Sequence, residues 1–255
     1  MSYETRAFVF LVILAVVAVL TVVWAFSKGR LSSTLWLFYY VDRLLLGLLW
    51  RMPYPRRQIP SDMGAILICN HRSSVDPCLV QAIIGKRVCH WMVAQIYSGS
   101  PFVVWAFKHL EIIPVRKTGN DTSPIKSAIR MARKGELVGI FPEGGINRSE
   151  DFMLPIRPGL VMIALKARVP IIPCYLEGSP YQDNYLKSLM TPSRVIVKMG
   201  PPIDLSDYYG RRLDKTETDW LTVYCIQQIA KLAGKPDYQP VIAGRQWKDW
   251  ADSEM

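Results

Sequence analysis

Short apolar runs alternate with helix-like segments from residue 65 to residue 232, and this alternation limits the possible folds most strongly. The predicted strands are 65–69, 88–93, 111–115, 137–141, 171–176 and 195–199. The predicted helices are 77–84, 101–108, 124–134, 159–167 and 217–232. A helix between two strands usually joins them in parallel. The sequence therefore predicts an α/β fold in which a largely parallel, twisted sheet is flanked by helices.

The N-terminal residues 7–26 contain no charged side chain. A helix of this length spans about 30 Å, which is the thickness of the bilayer hydrocarbon. The run is longer than the apolar part of a signal peptide, and no small-x-small cleavage site follows it. We therefore expect an uncleaved, single-pass transmembrane anchor. Six basic residues follow it before residue 58, whereas only Arg6 precedes it, so the positive-inside rule predicts a cytoplasmic globular domain.

Residues 33–50 form a second apolar segment, with Asp42 and Arg43 at its centre. Each charge would cost about 2.5–3.5 kcal/mol at the bilayer midplane. The segment is also rich in Trp and Tyr, which favour the membrane interface. It is predicted to be an interfacial helix, with a core helix packed on the domain as the alternative. Residues 1–51 would thus form a membrane-anchoring helix pair, 52–235 the globular domain and 236–255 a C-terminal tail.

The charge balance favours anionic partners. Lys and Arg total 31 against 21 Asp and Glu, a net charge of +10, and half of the residues are hydrophobic. Basicity combined with hydrophobicity favours a lipid surface as the partner. The sequence contains no Lys/Arg-rich tract of the kind that forms a recognition helix, which argues against nucleic acid. The five cysteines are odd in number and lack a C-x-x-C pair, which predicts neither a disulfide framework nor a zinc site.

A strand-to-helix turn carries the strongest candidate for chemistry. His71 and Asp76 lie between the predicted strand 65–69 and a helix that Pro77 opens. Open α/β sheets bind ligands at such strand carboxyl ends. On a turn the two side chains can meet, and the carboxylate would then keep one imidazole nitrogen protonated while the other acts as a base. The alternative is a loop histidine beside an aspartate that only caps the helix.

Further polar residues follow two other predicted strands. Arg116 and Lys117 end the strand 111–115, and Glu143 and Gly144 follow the strand 137–141. Because the carboxyl ends of parallel strands converge at one edge of a sheet, Arg116 and Glu143 are expected to approach His71.

These stretches resemble a known family when they are taken in order. The matching motifs are Asn70-His71-x-x-x-x-Asp76, the strand ending in Arg116, Phe141-Pro142-Glu143-Gly144 and Val169-Pro170-Ile171-Ile172-Pro173. They resemble the four ordered motifs of the glycerolipid acyltransferases, above all the 1-acylglycerol-3-phosphate (lysophosphatidic acid) acyltransferase family. The likeness covers about residues 64–178 and implies the glycerolipid acyltransferase fold.

The resemblance implies acyl transfer from acyl-CoA or acyl carrier protein to the free hydroxyl of a lysophospholipid, without a cofactor. His71 would be the general base and Asp76 would fix its tautomer. Arg116 would bind the acceptor's phosphate and Glu143 would orient its glycerol. The remaining predicted substrate-binding residues are Asn70, Lys117, Gly144 and Arg148.

Two features leave alternatives open. Where the family has Thr-Arg-Ser after Phe-Pro-Glu-Gly, this chain has Gly145-Ile146-Asn147-Arg148-Ser149, so Arg148 would supply the cation from a loop two residues longer. This difference leaves another lysophospholipid or glycerol-type acceptor possible. The residue types of His71, Asp76 and Glu143 also suit a metal-dependent lipid hydrolase. A third alternative is a lipid-binding protein without catalysis.

Overall fold

The computed structural model describes residues 47, 49–52, 59–60, 62–84, 87–94, 111–115, 121–182 and 185–243. All of them belong to one compact unit. The predicted anchor 7–26, most of the segment 33–50, the predicted helix 101–108 and residues 244–255 lie outside these ranges. Within them, no helix is both long and apolar enough to cross a membrane.

The described residues form a six-stranded sheet in the order β3-β2-β4-β1-β5-β6. The strands are β1 Ala65–Cys69, β2 Cys89–Ala94, β3 Ile113–Val115, β4 Leu137–Ile140, β5 Ile171–Glu177 and β6 Ile196–Met199. Strands β1 to β5 pair in parallel, and β6 pairs antiparallel with β5. Every residue of β1 is buried, as expected for a central strand covered on both faces. The prediction of a largely parallel sheet is therefore confirmed.

The helices match the predicted ranges closely. They are α1 Asp76–Ile84, α2 Ser123–Arg133, α3 Leu160–Ala167, α4 Tyr185–Met190 and α5 Lys215–Leu232. Helix α5 begins two residues earlier than predicted because Asp214 and Glu217 form a capping box, in which each side chain accepts the other's backbone N–H. The prediction omitted α4, because six residues are too few to show a helical period.

The main core lies between one face of the sheet and helices α2, α3 and α5. Ile66 and Ile68 of β1 pack there with buried residues of the three helices, such as Ala128, Val161 and Ile226. Close packing requires a glycine just before β1, because a Cβ on Gly64 would lie 2.1 Å from the carbonyl oxygen of Ala132. This packing fixes β1 at the centre of the sheet. The turn after Cys69 consequently starts from a buried, central strand.

Candidate active site

The His71 and Asp76 side chains meet on the turn between β1 and α1. Nδ1 of His71 lies 2.9 Å from Oδ2 of Asp76. Asp76 is fully buried, whereas 15% of the His71 side chain is exposed. A carboxylate can only accept a hydrogen bond, so Nδ1 of the neutral imidazole carries the proton and Nε2 is free to accept one. The predicted contact is present, and its arrangement suits a general base.

Backbone donors hold the Asp76 carboxylate in place. The N–H groups of Arg72 and Ser73 donate to Oδ2 over 2.7 and 2.8 Å. The same oxygen therefore accepts three hydrogen bonds, including the one from His71. Asp76 is also the first residue of α1, where the helix dipole stabilises a negative charge. The turn is thus built around the carboxylate and does not depend on His71 for its shape.

Two aromatic rings support the imidazole, and the sequence predicted neither of them as a site residue. The His71 ring stacks on Phe141, with ring centroids 3.9 Å apart and an interplanar angle of 11°. Phe141 stacks in turn on Trp91 at 4.5 Å. A Cβ on Gly139 would lie 2.5 Å from the Trp91 ring, so a glycine in β4 makes room for this stack. The stack fixes the plane of the imidazole while Asp76 fixes its rotation.

Asn70 links the catalytic turn to the neighbouring strand. Its buried side-chain amide donates to the Leu176 carbonyl over 2.9 Å and accepts the Leu176 N–H over 2.8 Å. These two bonds continue the β1–β5 pairing beyond the end of β1. The contacts of Asn70 position the turn, and its predicted contact with substrate stays a prediction.

Glu143 approaches His71 as expected, but through the backbone. Oε1 accepts the N–H of His71 over 2.7 Å, and Oε2 accepts the N–H of Leu154 over 2.8 Å. Burial raises the pKa of Glu143 to about 7, against the lowering effect of these two hydrogen bonds and of the Arg72 charge. Glu143 therefore ties the catalytic turn to the chain that follows β4. Its predicted role in orienting glycerol stays a prediction.

The raised pKa of Glu143 predicts a pH-dependent stability. Between its ordinary value of 4.5 and about 7, the folded protein holds a proton that the unfolded chain has released. The free energy of unfolding should therefore fall by about 3 kcal/mol as the pH rises through this window. Glu143→Gln removes the titrating group, so this part of the pH dependence should disappear in urea unfolding of the full chain between pH 4 and 8.

The matched control for Glu143→Gln is Glu150→Gln, because Glu150 is an exposed glutamate close by in sequence. The control should retain the pH dependence of the wild type. Parallel stability curves for the wild type and Glu143→Gln would contradict the assignment to this carboxyl group.

Gly144 is required by its backbone and by a neighbouring guanidinium. Its φ of +70° is unfavourable for other residues, and a Cβ would lie 2.2 Å from Nε of Arg157. The backbone N–H of Arg157 donates to the Pro142 carbonyl over 2.9 Å. Burial lowers the pKa of Arg157 to about 10, which still leaves the side chain charged at neutral pH. Within the described residues, the Arg157 side chain lies nearest to the position that a Cβ on Gly144 would occupy.

The predicted phosphate ligands are only partly described. Arg148 is exposed, and its guanidinium carbon lies 5.8 Å from the centroid of the Tyr181 ring. Arg116 and Lys117 lie outside the described residues. Their expected approach to His71 therefore stays a prediction.

The other candidate groups in the described part of the chain add neither a nucleophile nor a metal ligand set to the site. Burial raises the pKa of Cys69, next to the catalytic turn, well above its ordinary value. A protonated thiol is a poor nucleophile. His90 is buried at the opposite edge of the sheet, with Nδ1 3.1 Å from the Glu111 carbonyl oxygen. The described ranges contain no group of three or more His, Cys, Asp or Glu side chains arranged to hold a metal ion.

Comparison with known proteins identifies the class of enzyme. The family model for the Acyltransferase family matches residues 54–177, which include the catalytic turn, Glu143 and β5. The chain is an enzyme of the acyltransferase class. The family resemblance that its motifs indicated is confirmed.

Two relatives of known name are similar to this chain over most of its length. The chain is 27% identical over 184 residues to a 1-acyl-sn-glycerol-3-phosphate acyltransferase of Bacillus subtilis (strain 168), covering 72% of this chain and 88% of the relative. It is 28% identical over 165 residues to a Cocos nucifera protein of the same name, covering 60% of this chain and 50% of the relative. The match thus spans most of the bacterial relative but half of the plant relative.

A solved structure agrees with the fold. The crystal structure of the 1-acyl-sn-glycerophosphate (LPA) acyltransferase from Thermotoga maritima matches with a TM-score of 0.58 and 19% sequence identity. The match covers 83% of this chain and 88% of that chain. At this level of identity the similarity establishes a common fold, which is the α/β arrangement described above.

Proposed function

We propose that this enzyme transfers an acyl group from an acyl thioester to the free hydroxyl of 1-acylglycerol 3-phosphate. The product would be phosphatidic acid, which places the enzyme in phospholipid biosynthesis. The names of the curated relatives support this acceptor. The observation that carries the proposal is the 2.9 Å contact between Nδ1 of His71 and Oδ2 of Asp76, at the carboxyl edge of the sheet.

The proposed reaction begins with proton transfer. Nε2 of His71 accepts the proton of the acceptor's hydroxyl, and the Asp76 carboxylate stabilises the imidazolium that forms. The hydroxyl oxygen attacks the thioester carbonyl carbon and forms the new C–O bond. The C–S bond then breaks, and the departing sulfur takes the proton from Nε2. General-base assistance of this kind contributes about 10²–10⁴-fold in rate, so the positioning of both substrates supplies the rest.

The surroundings of the pair support direct transfer between the two substrates. Ser73, whose backbone N–H donates to Asp76, is fully buried, and its hydroxyl donates to the carbonyl of Pro180. Cys69 is buried as a protonated thiol. Neither side chain is placed as an acyl-accepting nucleophile, whereas His71 has an accessible ring.

The remaining substrate contacts are proposals that rest on the family resemblance. Arg116, Lys117 and Arg148 would bind the acceptor's phosphate, for which a guanidinium offers two parallel donors. The donor would be acyl-CoA or acyl carrier protein, and no further cofactor is needed for the transfer. We also propose that residues 7–26 and 33–50 hold the enzyme at the cytoplasmic face of a membrane, where a lipid acceptor enters from the bilayer.

Product analysis tests the proposal. Purified full-length chain in detergent micelles is incubated with labelled palmitoyl-CoA or palmitoyl-acyl carrier protein. The acceptors are 1-acylglycerol 3-phosphate, a monoacylglycerol and a lysophosphatidylcholine. We expect phosphatidic acid by mass spectrometry, with turnover on 1-acylglycerol 3-phosphate exceeding that on the other acceptors. The reaction should persist in EDTA.

Three outcomes would decide against this function. If the enzyme acylated only one of the other two acceptors, that lipid would be the acceptor and the proposed one would be wrong. Release of free fatty acid that EDTA abolishes would indicate the metal-dependent hydrolase. Binding of the lipids without turnover of either thioester would indicate a non-catalytic lipid-binding protein.

A further inference from the structure

Arg72 follows the proposed base directly in sequence, and its side chain binds a separate part of the chain. Its Nη1 donates to the Ser149 carbonyl over 2.6 Å and to the Asn147 carbonyl over 3.4 Å. Its Nη2 donates to the Asp151 carbonyl over 2.6 Å. One guanidinium therefore binds three carbonyl groups at alternate positions of residues 147–151. We call these five residues the 147–151 segment.

The 147–151 segment is also closed by its own side chains. The buried Asn147 accepts from the N–H of Ser149 over 2.9 Å and donates to the Asp151 carbonyl over 2.9 Å. The Ser149 hydroxyl donates to Oδ1 of Asn147 over 2.9 Å. These bonds make the segment a compact turn with a defined shape. Its orientation relative to the catalytic turn must come from contacts outside it.

Two further hydrogen bonds join this region to the catalytic turn. The Asn147 N–H donates to the His71 carbonyl over 2.8 Å. Glu143 accepts the N–H groups of His71 and Leu154, and so connects the turn to both sides of the segment. Arg72 adds the contacts to the segment's far end. Arg148, which lies within the segment, is exposed and projects from this fixed backbone.

Within the described residues, the Arg72 guanidinium forms no ion pair. No carboxylate of the described residues lies within 4.0 Å of its nitrogens, and its partners there are the three backbone carbonyls. Such a guanidinium keeps its positive charge and acts as a rigid fork, a geometry that lysine does not reproduce. Removing the fork should therefore loosen the 147–151 segment without leaving an unpaired acidic group behind.

We propose that Arg72 is a positioning residue that holds the 147–151 segment against the catalytic turn and thereby places Arg148 for the phosphate of the acceptor. This role rests on the proposed acyl transfer to a phosphate-bearing acceptor. Arg72 does not touch the substrate itself. It fixes the distance between the base at His71 and the Arg148 cation that binds the acceptor's phosphate.

Arg72→Lys tests the positioning role because it should change the KM for the acceptor more than kcat or the KM for the acyl donor. A loosened Arg148 should raise the KM for 1-acylglycerol 3-phosphate about tenfold, since small errors in placement weaken binding strongly. The KM for the acyl donor and the value of kcat should change less than about threefold, because the His71–Asp76 pair keeps its backbone donors. For a monoacylglycerol acceptor, which lacks the phosphate, the KM should not change.

Arg87→Lys is a matched control. Arg87 also binds three backbone carbonyls through one guanidinium, those of Pro60, Met63 and Gly135, but at the amino-terminal edge of the sheet. Both substitutions should lower the melting temperature, whereas only Arg72→Lys should raise the acceptor KM. An equal effect of the two variants on this KM would overturn the positioning role.

A double-mutant cycle identifies the residue through which Arg72 acts. Residues that work as one unit show strongly non-additive effects. Arg72→Lys should therefore raise the acceptor KM much less in an Arg148→Ala background than in the wild type. Fully additive effects would exclude action through Arg148.

A milder variant covers the case in which Arg72→Lys fails to fold. Ser149→Ala changes an exposed residue and removes hydroxyl bonds within the segment. It should raise the acceptor KM in the same direction, and an unchanged KM would overturn the proposal. Failure of the proposed function is recognised separately, because wild-type enzyme would then give no transfer to 1-acylglycerol 3-phosphate before any variant is compared.

Discussion

Replacing His71 with alanine is expected to lower kcat for acyl transfer by about 10²–10⁴-fold, the usual contribution of a general base. The loss follows from the removal of Nε2, the atom proposed to take the proton from the acceptor's hydroxyl. Substrate binding should change little, since the proposed phosphate ligands are untouched. The measurement is the initial rate of phosphatidic acid formation from a labelled acyl thioester.

The fold should survive His71→Ala. The Asp76 carboxylate keeps the N–H donors of Arg72 and Ser73 when the imidazole is lost. Glu143 binds the backbone N–H of residue 71, which alanine also provides. The loss of ring stacking on Phe141 should cost about 1 kcal/mol. An unchanged circular dichroism spectrum and a modest fall in melting temperature would confirm that the variant is folded and that the lost activity reflects the loss of the base.

His90→Gln provides the comparison for the His71 variant. His90 is buried in β2 and contacts Glu111 and Glu136, away from the catalytic turn. We expect this substitution to lower stability and to leave kcat within about threefold of the wild type, as for other changes remote from a reacting group. If His71→Ala kept a tenth or more of the wild-type rate, His71 would not be the base.

Local signals explain why the sequence predicted the catalytic turn so well. The apolar run of β1 predicts a buried strand, and Asp76 followed by Pro77 predicts the start of α1. Six residues separate the end of β1 from the start of α1, and a turn of this length leaves His71 and Asp76 within reach of each other. The turn could therefore be inferred without knowledge of distant residues.

The atomic contacts that support the turn could not be predicted, because they join residues far apart in the chain. Asn70 binds Leu176, 106 positions away. The approach of Glu143 to His71 was expected, but the sequence did not predict that its carboxylate would accept the backbone N–H of a residue 72 positions away. The stacking of Phe141 and Trp91 likewise depends on the order of strands in the sheet. A hydrophobic period identifies elements, but it does not identify which side chains meet after the sheet has formed.

These contacts change the interpretation of two motif residues. The sequence resemblance implied that Asn70 and Glu143 bind substrate, whereas the structure shows both making hydrogen bonds to backbone groups. A turn at the end of a buried strand exposes backbone donors and acceptors that strand pairing no longer satisfies, and leaving them unpaired is costly. Polar side chains in such a motif are therefore needed for the fold of the site, whether or not they also touch the substrate.

Asp76→Asn should separate the charge of the carboxylate from its hydrogen bonds. Oδ2 accepts three donors, whereas Oδ1 has no hydrogen-bond partner among the described residues. An asparagine can therefore place its carbonyl oxygen at the Oδ2 position and keep all three donors satisfied. The imidazole would retain its proton on Nδ1, so the tautomer needed for a base at Nε2 is preserved.

The expected result of Asp76→Asn is a folded enzyme whose kcat falls by about 10²–10³-fold, because a charge pair at this distance and an intermediate dielectric contributes a few kcal/mol to the imidazolium. Asp76→Ala is the contrasting variant. It leaves the N–H groups of Arg72 and Ser73 without an acceptor, at a cost of about 1–3 kcal/mol each, and should therefore lose stability as well as activity. Rate measurements paired with thermal unfolding distinguish the two effects. If Asp76→Asn turned over like the wild type, orientation of His71 alone would explain the role of Asp76, and stabilisation of the imidazolium by its charge would be excluded.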